Sequence, residues 1–515
     1  MGKHQVLIAS NRGPVSFSLR DDGTLTARRG AGGLVSGLSS VAGTDTDVLW
    51  ICAALSDPDR TAARRAPGGR LDLDGHETGA AVQMLDIPAV TFHRAYNGVA
   101  NSTLWFVHHL LYDTPNSPHF GLAWQREWRS YQSYNQAFAS ALAAAVDQAG
   151  ETAGGTGGAA GGTGGAAGGT PGGSGQAASG TGLRGARALV QDYHLSLVPR
   201  MLKDARPGLR IAHFSHTPWA PPDYFRILPD DIACEVLDGI LGADHAGFLC
   251  DRWAGAFLDC CAEFLGAEVD KERRTARYRG HVTRVAVHAL GVDGAELRER
   301  ASAADVGARV QALRDAVGDR KLIVRVDRTE LSKNIVRGLA AYRELLATHP
   351  QWRGNVVHLA FAYPSRHDLP EYREYTASVQ RIAREIEDEY GTDDWDPLIL
   401  QVNDDYPRSL AAYRLADVLL VNPIRDGMNL VAKEGPVLSE RACALVLSRE
   451  AGAAAELGPH ALLVNPFDIS GTADALHQAL SMPSTERLAR CTRLAEAATA
   501  LPPRQWFTDQ LGALG

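Results

Sequence analysis

The chain has 515 residues, 45% apolar and 22% charged, with a formal net charge of -8. That length exceeds what one hydrophobic core serves and predicts two domains of a soluble globular protein. The acidic balance excludes a general nucleic-acid binder, which needs surplus cations against phosphates, but permits a small phosphorylated ligand held by a few arginines. Seven cysteines include no Cys-x-x-Cys pair, as expected of reduced thiols in a cytosolic protein. No run of about 18 apolar residues occurs, so no membrane segment is expected. The first apolar run, residues 6–9, is too short for a signal peptide, and the expected compartment is the cytoplasm.

Residues 6–9 read as a strand ending in Ser10-Asn11-Arg12-Gly13-Pro14, a turn with a charged tip. Gly30-Ala31-Gly32-Gly33-Leu34 then opens a helix, and such a Gly-rich loop lets backbone approach an anion. Residues 48–53 and 89–92 are expected strands, with a polar stretch around Asp57-Pro58-Asp59 between them. Asp72-Leu73-Asp74 has metal-binding spacing but no strand before it, and reads as a turn. Tyr96-Asn97 to Trp105-Phe106 mixes aromatics with amides and leads into His108-His109. Adjacent residues on a helix face different ways, so no metal is expected there either. Helical spacing over 125–146 gives way at 152–182 to Gly, Ala, Thr and Ser. That segment buries too little to offset its ordering entropy and reads as a disordered insertion spanning roughly 30 Å.

The α/β pattern resumes at 188–190, which ends in Asp192-Tyr193-His194. A strand at 210–214 ends in Ser215-His216-Thr217-Pro218. Open parallel sheets hold ligands at the C-terminal ends of their strands, so His216 reads as a ligand group, while Asp192 suits a helix N-cap equally well. After a strand at 284–289 a second series begins, with strands at 321–327, 355–360, 398–402, 417–421, 444–447 and 461–464 separated by helices. The expected fold is α/β, two Rossmann-like doubly wound domains facing across a cleft. Their expected bounds are 1–290 and 291–495, with a last helix around Trp506 (496–515) crossing back to the first domain.

The most informative stretch follows the strand at 417–421: Asn422-Pro423-Ile424-Arg425-Asp426-Gly427-Met428-Asn429-Leu430-Val431-Ala432-Lys433-Glu434. Pro423 and Gly427 turn the chain into a helix expected to start near Met428, whose unpaired N–H groups and dipole suit an anion. Arg328 and Lys333 flank another strand-to-helix turn; a guanidinium forks onto two phosphate oxygens and an ammonium adds a point charge. Glu434 would take ribose hydroxyls, as acidic residues do in dinucleotide folds. There is no Walker loop and no G-x-S-x-G elbow.

These motifs, with Gly32-Gly33-Leu34, Tyr96-Asn97, Trp105 and Arg366, resemble the trehalose-6-phosphate synthase family, retaining glycosyltransferases of GT-B architecture. The resemblance covers nearly the whole chain outside the Gly-rich insertion. It implies a glucose 6-phosphate acceptor in the first domain and a nucleotide-glucose donor in the second, with no cofactor and no metal. Arg12 and Arg366 would clamp the acceptor phosphate, Tyr96 and Trp105 line its pocket, and Asp192 bind its hydroxyls. His216 would contact the donor glucose, Arg328 and Lys333 the diphosphate, and Glu434 the ribose. Asp426 would take the donor sugar's hydroxyls, with backbone from Gly33 and from Gly427, Met428, Asn429, Leu430 and Val431. The implied catalytic set is Asp192, His216, Arg328, Lys333 and Asp426, acting by positioning and charge in a front-face displacement. Near the expected nucleobase, Gln401-Val402-Asn403-Asp404-Asp405-Tyr406 is acidic, which suits guanine's paired donors and favours GDP-glucose over UDP-glucose. Two other readings stay open: a pseudo-glycosyltransferase joining a nucleotide-cyclitol to an aminocyclitol phosphate, and a silent sugar-phosphate sensor. No nucleic-acid or membrane partner is expected, and a homo-oligomer is compatible with the chain.

Overall fold

The computed structural model describes residues 5–29, 47–71, 80–154, 186–366 and 368–515. Strand Gln5–Ser10 is buried from Val6 onward, because parallel neighbours hold both of its edges and the layers above and below cover both faces. It sits inside a ten-stranded sheet whose order across the width is Glu268–Asp270, Thr275–Tyr278, His281–Val287, His245–Phe248, Arg210–Ser215, Arg187–Gln191, Gln5–Ser10, Asp47–Ala53, Ala81–Leu85, Arg70–Leu71. Pairing is parallel through the interior and antiparallel only toward the two edges. A second sheet is parallel throughout, in the order Leu398–Gln401, Val356–Tyr363, Lys321–Arg328, Val418–Val421, Ala444–Ser448, Leu462–Val464. Strand Val418–Val421 is a continuous apolar run and Ala444–Ser448 nearly so, whereas Lys321–Arg328 holds a buried Arg325–Asp327 pair and Val356–Tyr363 a buried His358.

Two chain passages join the sheets and lie side by side. Gly291 N–H donates to Leu501 O at 2.8 Å and Val292 N–H to Ala498 O at 3.0 Å. Beyond the second passage, helix Pro503–Ala513 packs on the first sheet, with Trp506 edge-on to Phe214 and against His216. Arg210 donates to the Leu514 carbonyl at 3.3 Å.

One expectation is corrected. Residues 89–92 are not a strand: Ala89–His93 is a helix, which Pro88 initiates with a fixed φ and an absent N–H. The chain then continues as an eleven-residue π-helix, Arg94–Leu104, into helix Trp105–His109. A run of four residues does not discriminate helix from strand by itself. The polar stretch at Asp57 is helix Asp57–Arg65, opened by a capping box between Ser56 and Asp59. Helix Leu122–Gly154 extends the predicted helical segment in both directions. The Gly30–Leu34 loop with Gly33, the Asp72-Leu73-Asp74 turn and residues 155–182 of the insertion lie outside the described residues. No helix among the described residues is long and apolar enough to cross a membrane.

Asp59, 3% exposed, ties this end of the first sheet together. Its carboxylate accepts Phe17 N–H at 2.7 Å, Leu55 N–H at 3.2 Å and Ser56 N–H at 3.0 Å. Orphaned buried donors cost about 1–3 kcal/mol each, so Asp59→Ala should lower stability by roughly 3 kcal/mol or more in urea unfolding.

Candidate functional site

The turn after strand Val418–Val421 is held by its neighbours on every side. Ile424 N–H donates to Ser332 O at 2.8 Å, tying it to the turn after the adjacent strand Lys321–Arg328, and Asp426 forms a bridge with Ala451. Asn429 has a φ of 79°, in the left-handed region, and its side chain links Asp426 Oδ2 at 3.1 Å to Ala432 N–H at 3.3 Å. The helix therefore begins at Val431 and runs to Leu438, not near Met428: a left-handed residue cannot continue a right-handed helix, and Asn is among the few that adopt it cheaply.

Lys333 Nζ meets Asp426 Oδ2 at 2.5 Å. Burial opposes charge on both, yet the pairing prevails: the lysine is held above its ordinary pKa and the carboxyl below its own. Three residues before Lys333 stands Glu330, fully buried, 3.0 Å from Arg328 Nη2 and 3.9 Å from Arg366 Nη1. Arg366, with a φ of 44°, reaches toward the first sheet's side. Its guanidinium lies 4.3 Å over the Trp105 ring, donates to Tyr372 Oη at 2.6 Å and reaches Tyr193 Oη at 3.4 Å.

On that side His194 is the meeting point. Tyr96 stacks on its ring at 5.5 Å, and burial, then the charges of Arg366 and Arg12, push its pKa down to about 3. Arg12 and Arg366 thus act on one neutral imidazole, and Arg12 is exposed. Asp192, at a φ of 74°, accepts His216 N–H at 3.2 Å. Burial raises its pKa to about 6, against the backbone donors of Tyr193 and His216 and the charge of Arg366. The His216 side chain bonds Gln191 Oε1 at 2.9 Å, and burial brings its pKa down to about 3. What His216 offers to the other half is its backbone carbonyl, which a Cβ on Gly427 would strike.

That contact is where the two halves close on each other. Trp253 Nε1 donates to Gly427 O at 3.0 Å, and Arg425, stacked 4.4 Å over the Trp253 ring, donates to Trp219 O at 2.9 Å. Strand ends of the first sheet (Asp192, His216) and of the second (Lys333, Asp426) are thereby brought to one place. Met428 is buried and Leu430 and Val431 half-buried along the same loop. Glu434, on the helix beyond, has its pKa raised to about 6 by burial, moderated by the Tyr413 hydroxyl.

Three functional candidates were not singled out from sequence. Glu330 and Tyr372 looked like ordinary turn and helix residues. His109 was weighed only for metal; it stacks on Trp105 at 3.8 Å, and Asp426, Glu330 and Lys333 all act on it. The four-residue spacing of Trp105 and His109 on one helix was the available signal. The acidic segment behaves differently from its sequence appearance. Asp405 caps helix Tyr406–Leu415 and pairs with Arg309 at 2.8 Å, which leaves Asp404 as its free carboxylate among the contacts described.

The sequence profile of glycosyltransferase family 20 matches residues 4–152 and 179–514. A trehalose-6-phosphate synthase from Mycobacterium avium is 31% identical over 526 residues, covering 100% of this chain and 96% of that protein. A bifunctional trehalose-6-phosphate synthase/phosphatase from Thermoproteus tenax is 28% identical over 521 residues; the match takes in 99% of this chain but only 63% of that protein's length. The crystal structure of an α,α-trehalose-phosphate synthase (UDP-forming) from Burkholderia xenovorans in complex with glucose-6-phosphate superposes with a TM-score of 0.79 at 25% identity, covering 100% of both chains.

Two outcomes are expected of this geometry. Gly427→Ala should cut turnover at least tenfold while leaving the fold intact by circular dichroism, because the added methyl holds the halves apart. For Asp192 the folded pKa is raised, so ionising it costs stability that is lost as pH climbs from about 4 to about 6. Asp192→Asn should therefore gain thermal stability at pH 8 while losing turnover. The wild-type acid limb near pH 6 in kcat/KM for the acceptor should survive in Glu434→Gln.

Proposed function

The chain belongs to glycosyltransferase family 20, and we propose that it transfers glucose from a nucleotide-glucose to glucose 6-phosphate with retention, forming trehalose 6-phosphate. The observation that carries this reading is the convergence of two charged sets on one cleft: Arg12, Arg366 and Asp192 on the acceptor side, and Lys333, Asp426 and Arg328 on the donor side. Residues 1–290 are assigned the acceptor and residues 291–495 the donor. The GT-B architecture and relatives named for this reaction support the assignment.

Arg12 and Arg366 hold the acceptor phosphate, with Arg366 kept straight by the Trp105 face and Tyr372. Asp192, ionised above about pH 6, accepts hydrogen bonds from the acceptor's hydroxyls. Lys333 and Arg328 hold the diphosphate, and Asp426, fixed by Lys333 and Asn429, takes hydroxyls of the donor glucose. As the glycosidic bond to phosphate lengthens, negative charge grows on the diphosphate, and these cations stabilise it more in the transition state than before. The acceptor hydroxyl attacks from the same face, and its proton passes to the departing phosphate oxygen. His194, His216 and His109 are neutral at working pH and serve as shape and hydrogen-bonding groups.

For the donor base, UDP-glucose is the better reading. Within the acidic segment Asp405 is engaged by Arg309 and its helix cap, and the solved relative from Burkholderia xenovorans is named UDP-forming. Asp404 alone keeps GDP-glucose as a second reading.

Release of nucleoside diphosphate with glucose 6-phosphate as acceptor tests the whole assignment. The expected result is trehalose 6-phosphate as product and a higher kcat/KM with UDP-glucose. A cyclitol acceptor working better, or no release at all, would favour the pseudo-glycosyltransferase or the silent homologue. Arg328→Ala should lower turnover by about 10²–10³, the scale of one lost charge-stabilising donor; near-normal turnover would remove Arg328 from the diphosphate site.

A further inference from the structure

The turn that carries Arg328 and Lys333 also carries Glu330, whose side chain is 0% exposed. A charge taken wholly out of water costs several kcal/mol, and persists only where fixed opposite charges compensate it. Oε1 of Glu330 accepts Ser365 Oγ at 2.9 Å and faces Arg328 Nη2 at 3.0 Å. Oε2 lies 3.9 Å from Arg366 Nη1 and accepts no hydrogen bond. Burial alone would raise this carboxyl's pKa, but Arg328, Arg366, Lys333 and the Ser365 hydroxyl overcome it and bring it down to about 2. Glu330 is ionised at any working pH.

The two arginines it touches face different ways. Arg328 is 57% exposed and opens toward the cleft from the turn of Lys333. Arg366, 13% exposed, is held under Trp105 and Tyr372 and reaches Tyr193 on the first sheet's side. One carboxylate therefore bridges the cation assigned to the donor and the cation assigned to the acceptor.

We propose that Glu330 is a positioning residue that fixes both guanidiniums and moderates the pocket's grip on the nucleoside diphosphate product. This rests on the glucosyl-transfer reading above. Arg328, Lys333 and Arg366 would otherwise face a diphosphate with Asp426 as the nearest opposing charge, and Coulomb attraction is strong in a site that excludes water. Such a pocket binds product tightly, and product release limits turnover in many enzymes. Glu330 takes up part of that positive charge from behind, out of reach of either substrate. It also supplies the direction: Arg328 is pulled to one carboxylate oxygen while the other, unbonded, oxygen faces Arg366. A purely structural carboxylate would stabilise the turn and do neither.

The test uses the full chain and two substitutions. Glu330→Gln keeps the shape and the Ser365 hydrogen bond but removes the charge; Glu330→Asp keeps the charge but draws it back from Arg366. Calorimetric titration with UDP alone should show Glu330→Gln binding about tenfold more tightly than wild type, on the scale set by one charge-assisted contact. Its kcat should fall by about tenfold or more with no rise in KM for glucose 6-phosphate. Glu330→Asp should bind UDP like wild type yet turn over several-fold more slowly. Unchanged or weaker UDP binding in Glu330→Gln overturns the proposal, as does a parallel rise of both KM values at constant kcat. If Glu330→Gln does not fold, Glu330→Asp decides, and wild-type kcat in that variant sinks the positioning role. Failure of the wild-type chain to release nucleoside diphosphate would instead refute glucosyl transfer, leaving the UDP-binding comparison intact.

Discussion

One largely buried ion pair, Lys333 with Asp426, each side chain about 15% exposed, joins the turns that follow two neighbouring strands of the second sheet. Neither charge would be tolerable alone at that depth, because breaking a buried pair leaves an uncompensated ion. Around it the other charges fall into place. Asp426 is also held by Asn429, whose left-handed backbone ends the loop and admits the helix at Val431. Lys333 sits among Asp327, Glu330 and Asp426, so the ammonium stays protonated although buried. The pair costs desolvation and returns a fixed direction: the carboxylate and the ammonium both address the same side of the sheet's carboxyl edge.

The opposing half is built on different physics. Its side of the cleft is aromatic, with Tyr96 on His194, Trp105 on His109 and Tyr193 beside both. Burial keeps those imidazoles neutral, so the formal charges come from Arg12, Asp192 and the visiting Arg366. A flat neutral wall with a cation at its rim suits a sugar phosphate: ring faces meet aromatic faces, and the phosphate meets guanidinium. The charged half and the aromatic half thus differ in what they offer a ligand: ion pairs on one side, neutral ring faces on the other.

Most of the fold was legible in the sequence because several parallel strands in the core are near-continuous apolar runs. Residues 417–421 and 444–447 could be read that way without ambiguity. Residues 89–92 could not, since Ala-Val-Thr-Phe after a proline suits either a strand or a helix, and Pro88 decided it locally. Arg328, Lys333 and Asp426 stand out in the sequence because several charges fall in the strand-to-helix turns of one α/β half; singly, such a charge is usually a solvated helix-end residue. Glu330 does not, because its meaning lies in Arg366, 36 residues away and one strand over, and no local pattern encodes that approach. Asp405 misled in the opposite direction. It looked available for a base until its partner Arg309, 96 residues distant, took it up.

The paired passages between the sheets have a mechanical meaning. Lys433 is fully buried and donates at 2.8 Å to the carbonyl of Leu290, the residue where the first passage begins, while also holding Glu456. It neighbours Glu434 on helix Val431–Leu438. That helix, which follows the Asp426 turn, is thereby fastened to the passage that joins the two sheets. Glu434 therefore sits beside that fastening, while Gly427, earlier on the same loop, meets the first half at His216.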